Sequence, residues 1–100
     1  MVAPVENLTT LHVRVASLGP HPRLGDWDLA SAEVLSAEPV SGRADLLSQY
    51  VGRTVQLGIP RRLTGGLHPG SGLTLRARLA TGDILAEPNP GPGDFTVDAG

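Results

Sequence analysis

Side chains able to do chemistry are few in this chain and fall into three groups. The first is arginine: Arg61 and Arg62 are adjacent, and Arg76 and Arg78 are two apart. Residues i and i+2 of a strand share a face, so Arg76 and Arg78 point the same way in an extended segment. Guanidinium groups bind carboxylate and phosphate through paired hydrogen bonds, so these arginines brought together would make an anion site. The alternative is ordinary surface ion pairing with Glu33, Glu38, Asp83 and Glu87. The second group is Trp27, the only tryptophan, set between Asp26 and Asp28. Its indole is either a core or rim ring that donates its N–H, or a platform on which a ligand stacks. The third is His12, His21 and His68. No two of them have His-x-His or His-x3-His spacing, so no metal site is expected. His21 precedes Asp26 by five residues and can approach it across a loop. Otherwise the histidines are expected in solvent, with His12 on a polar strand face beside Arg14.

Catalytic patterns are missing from the sequence. There is no Gly-x-Ser-x-Gly elbow. The glycine-rich stretch TGGLHPGSG, 64–72, has no lysine and precedes a strand, so it offers phosphate no helix N-terminus. Carboxylates are scattered, with no pair placed for acid–base work. A non-enzymatic protein without a cofactor is expected; a pocket joining His21, Asp26 and His68 would reopen that question. The absence of cysteine rules out disulfides, thiolate metal ligands and cysteine nucleophiles.

The elements that must position these residues are short strands. In TTLHVRVA, Leu11, Val13 and Val15 alternate with His12, Arg14 and Ala16. GRTVQLGIP repeats the pattern with Val55, Leu57 and Ile59. In GLTLRARLA, Leu73, Leu75, Ala77 and Leu79 face in, while Thr74, Arg76 and Arg78 face out. A shorter strand is predicted at Glu33–Ala37. GDILAEP gives another, joined to its predecessor by a turn at 81–83 into a hairpin over 73–87. FTV, 95–97, reads as a sixth, edge strand. One short helix is predicted over 43–51, started by Ser41, ended by Gly52 and held by packing of Ala44, Leu47 and Val51. SLGPHPRLGD, EPVSG, PRRLTGGLHPGSG and EPNPGPGD are proline- and glycine-rich connectors. Residues 88–100 are expected to be loosely held. The fold class that follows is all-β, a small single-domain β-barrel over 1–100 with five to six strands and one short helix near 43–51.

The order strand, strand, short helix, strand, long loop, hairpin resembles the oligonucleotide/oligosaccharide-binding (OB) barrel, although the OB helix usually follows the third strand. A second, local resemblance lies in PRLGDWDLASAEVLSAEP, 22–39. Leu24-Gly25-Asp26-Trp27, followed by Ala32, Val34, Leu35 and Ser36, is similar to the turn and strand of the starch-binding domains of amylases and glucoamylases. EPNPGPGDFTV is similar to the Pro-Asn pair before that family's last strand. The resemblance implies that the Trp27 indole stacks on a sugar face. The chain departs from the family where a second tryptophan is expected, at Ile84 and Leu85, and in having Tyr50 as its only tyrosine.

Composition bounds the partners. The chain is 40% hydrophobic with a formal net charge of −2, and its pI is about 5.8. That balance gives no general attraction to nucleic acid or an anionic membrane. Aromatics at 3% argue against a surface of stacked rings. All eight basic residues are arginine, as expected of a GC-rich bacterial genome. MVAPVENLTT lacks a basic region followed by an apolar run, and no apolar run approaches a membrane span, so a cytoplasmic location is expected. The expected function is a non-enzymatic protein-interaction or assembly domain, binding a protein partner or itself through edge strands and proline-rich loops. The alternative is a ligand-binding module for glycan through Trp27, or for oligonucleotide or another anion through Arg76 and Arg78, with Arg61 and Arg62 beside them.

Overall fold

The computed structural model describes residues 6–98. The first five residues of the stretch read for a leader, and Ala99 and Gly100 at the end of the 88–100 segment, lie outside the described residues. Alternation of apolar and polar side chains produces six strands: β1 (Thr9–Pro20), β2 (Trp27–Pro39), β3 (Thr54–Pro60), β4 (Gly72–Ala80), β5 (Asp83–Ala86) and β6 (Phe95–Asp98). β1 pairs antiparallel with both β2 and β4, and the order β1-β2-β3-β5-β4 therefore closes on itself as a five-strand barrel. The closure between β3 and β5 is parallel and short, matching Leu57 with Ile84 and Gly58 with Leu85. β6 is additional to the barrel: it lies antiparallel on the first half of β4 and ends the sheet. Among the described residues, no helix is long and apolar enough to cross a membrane.

The core is the barrel interior. Leu11 meets Leu75 and Val13 meets Leu73 across the β1–β4 pairing, and Val15, Ala77, Val55, Leu57 and Ile59 are buried in the same core. β1 and β2 are long for strands and bend around the barrel at irregularities between His12 and Val13 and between Val15 and Ser17. Such bulges raise local twist, which a small closed barrel requires. β2 is longer than the predicted Glu33–Ala37 segment because its inward residues are small: Ala30 and Ala32 are fully buried, whereas the larger Leu29 faces outward. The connector before it is correspondingly shorter, since β1 runs to Pro20 and leaves only residues 21–26 as loop.

The expected helix over 43–51 does not form; the segment holds a single 3-10 turn, Ser48–Tyr50. Asp45 is the reason. Its carboxylate accepts the backbone N–H groups of Leu47 and Ser48 and the Ser48 hydroxyl, which favours a local turn over a helix. It also accepts the Thr9 hydroxyl at 2.8 Å, tying the segment to β1. Leu47 is fully buried in the core, but Val51, expected to pack, is 45% exposed. Gly52 does take the left-handed conformation expected of it, with φ +85°. A second 3-10 turn, Arg61–Leu63, follows β3.

Candidate functional site

At Gly58, in β3, residues from β2, β5 and the β1–β2 loop meet. A Cβ at Gly58 would sit 2.8 Å from Leu85 Cδ2, 3.5 Å from the His21 ring and 3.6 Å from the Trp27 ring. Absence of a side chain there is what lets these three groups converge. A groove opens on each side of this junction.

The first groove, about 450 Å³, is lined by Asp26, Trp27, Pro60, Arg61, Arg62 and Pro88. Trp27 starts β2 opposite Pro60 and is half-buried, so it is neither a core ring nor an open platform. Arg61 is held in place by Asp28 (Nε to Oδ1 3.0 Å) and by the Trp27 carbonyl (3.3 Å). Arg62 donates to the Pro88 carbonyl and, at 3.1 Å, to Asn89 Oδ1. Behind them Asp28, with only 12% of its side chain exposed, accepts the Thr64 hydroxyl at 2.7 Å. That hydroxyl also lies 2.9 Å from the Arg61 carbonyl, but its single proton goes to the charged acceptor. The Thr64 hydrogen bond, and then Arg61, hold the Asp28 carboxyl below the usual aspartate range against the opposing effect of burial. The Asp45 carboxyl is lowered in the same way, first by the Ser48 hydroxyl and then by Thr9.

The second groove, about 410 Å³, runs past His21, Tyr50, Gln56, Gly58 and Asp83. His21 is only 9% exposed, and its Nδ1 accepts the backbone N–H groups of Arg23 and Leu24, each at 3.1 Å. The neutral ring therefore carries its proton on Nε2. Its backbone N–H donates to the Trp27 carbonyl at 3.0 Å and closes the loop. Arg23 and Asp83 form an ion pair at the rim.

The structure brings Trp27, Arg61 and Arg62 together and separates them from the other two arginines. Arg76 pairs with Asp94 (3.6 Å) and lines none of these grooves. Arg78 lines a third groove, on which Pro88 also borders. The ion pairs differ from those expected: Asp83 binds Arg23, and no arginine pairs with Glu33, Glu38 or Glu87 among the described residues. His21 and Asp26 line different grooves, and His68 lines none of the three. His12 lies 3.2 Å from Asp98 on the opposite side of β4. No group of three His, Asp or Glu able to hold a metal occurs among the described residues. Sequence reasoning misses Gly58, Tyr50 and Gln56. The available signal was a glycine inside TVQLGIP, at a position between the alternating Leu57 and Ile59, which marks a close approach. No family model, curated protein or solved structure matches this chain.

Proposed function

We propose that the chain is a non-enzymatic interaction domain, an OB-like barrel that binds a protein partner through the face centred on Trp27. The observation that carries this reading is a half-buried indole flanked by two arginines already fixed by hydrogen bonds. Tryptophan and arginine are the residues most enriched at interface hot spots, and a prearranged side chain loses less entropy on binding. The strand order, with β1 shared between β2 and β4, supports the OB-like assignment. In such barrels the β2–β3 face and the flanking β1–β2 and β4–β5 loops form the binding surface.

Light scattering on the purified chain at high concentration tests self-association, and immobilised wild type against Trp27→Ala tests a foreign partner. The expected outcome is a defined oligomer, or a captured protein, that Trp27→Ala removes while leaving the barrel folded. A strict monomer combined with capture indifferent to Trp27 would reject the reading.

A second reading, glycan or oligonucleotide binding, is favoured by the partial exposure of the indole in an open groove. Sugar faces and bases both stack on such a ring. It predicts a change in Trp27 fluorescence on titration with soluble α-glucans or short single-stranded oligonucleotides. A flat response to both removes it. The pairing of Arg76 with Asp94 and the acidic pI weigh against the oligonucleotide version.

A further inference from the structure

The third groove, about 390 Å³, shares Pro88 with the Trp27 groove and lies between the chain entering β1 and the ends of β4 and β5. Its apolar lining is Leu8, Leu79, Ala80 and Pro88. Four charged residues border it. Two of them neutralise each other, since Arg43 binds Glu6 at 2.6 Å. The other two do not. Arg78 makes no ion pair or side-chain hydrogen bond with another described residue. Glu87 has one carboxylate oxygen, Oε2, that is buried and accepts no hydrogen bond. A carboxylate stripped of water on one oxygen is costly unless a donor or a positive charge comes to the group. The walls are fixed: the Asn7 side chain accepts the Leu79 N–H at 2.8 Å and donates to the Leu79 carbonyl at 3.0 Å, and the Glu87 N–H donates to the Arg76 carbonyl at 2.9 Å.

One groove therefore offers an exposed cation without a partner among the described residues, a carboxylate with one oxygen that accepts no hydrogen bond, and an apolar floor. A simple anion satisfies Arg78 but is repelled by Glu87, and a simple cation meets the reverse. We propose that this groove binds a small zwitterion of the α-amino-acid class with an apolar side chain. The ligand carboxylate pairs with Arg78, its ammonium with Glu87, and its side chain covers Leu8 and Leu79. The volume lies within the range of small-molecule clefts. Apart from Pro88 this site shares no lining residue with the Trp27 groove, and either can fail without the other.

The test is a titration of the ¹⁵N-labelled chain with L-leucine, N-acetyl-L-leucine and L-leucinamide, followed by amide chemical shifts. L-Leucine is expected to move the amides of Leu8, Leu79, Ala80 and Glu87. The acetylated and amidated compounds, each lacking one charge, are expected to bind about 10-fold more weakly or worse. Glu87→Gln should abolish the preference for the free ammonium, and Arg78→Gln the preference for the free carboxylate. The spectrum of each variant reports whether the barrel is intact. No shifts at ~20 mM L-leucine, an affinity too weak to matter, would overturn the proposal. So would shifts of equal size with all three compounds.

Discussion

At His21 two backbone N–H groups converge on Nδ1, so the ring works as an acceptor inside its own loop. His21→Ala removes that acceptor. The Arg23 and Leu24 amides should then exchange with solvent at least about 10-fold faster, at a stability cost of about 1–3 kcal/mol. Unchanged exchange would mean that the loop is held without the ring. Asp28 makes the opposite kind of contribution, as a charged acceptor. Its carboxyl, like that of Asp45, titrates lower in the folded chain than in the unfolded one. Each therefore stabilises the fold fully above the ordinary aspartate range, and the gain is lost as pH falls from about 4 through the folded-state value. Urea midpoints measured from pH 6 down to pH 2 should fall, and Asp28→Asn should lower the midpoint at pH 6 while flattening that fall. A slope equal to wild type would dissociate Asp28 from acid sensitivity. Neither role is legible in the sequence. The partners of Asp28 arrive from 33 and 36 residues away, a separation no local pattern encodes.

Among the elements, β1, β3 and β4 are legible because each alternates large apolar residues with polar ones. β2 is only partly so. Alanines fill its buried positions near Ala30 and Ala32, and the bulkier Leu29 points out, so its hydropathy runs against its burial. The 43–51 segment fails as a helix because Asp45 offers its backbone a competing set of acceptors. The β4–β5 hairpin closes as the Thr-Gly turn indicates, with φ +49° at Thr81 and +84° at Gly82. Left-handed φ at both central positions suits the right-handed strand twist, but a β-branched residue resists it. Thr81→Asn should stabilise the chain by about 0.5–1 kcal/mol, read from the urea midpoint. A neutral or destabilising result would show that the Thr81 side chain compensates for its backbone.

At the scale of the whole molecule, the barrel exists only when β1 meets β4, pairing Thr9 with Ala77 and Arg14 with Gly72. Contacts so distant in the chain make folding slow, on the order of milliseconds to seconds, and make the barrel one cooperative unit. Trp27 fluorescence, which samples the β2–β3 face, and far-ultraviolet circular dichroism should therefore give coincident urea transitions. Separate transitions would divide the β2–β3 face from the rest. The sequence by itself determined the all-β class, the positions of five of the six strands among the described residues and part of β2, the tight hairpin and the absence of cysteine chemistry, because side-chain alternation and turn residues are local properties. Only the tertiary structure decided how the barrel closes and that Gly58 gathers Trp27, His21 and Leu85. It also gave Arg61, Arg62 and Arg76 different partners and left Arg78 and Glu87 Oε2 without one among the described residues along one groove. Those outcomes depend on strand register, and register is fixed by burying one face of every strand at once rather than by any single segment.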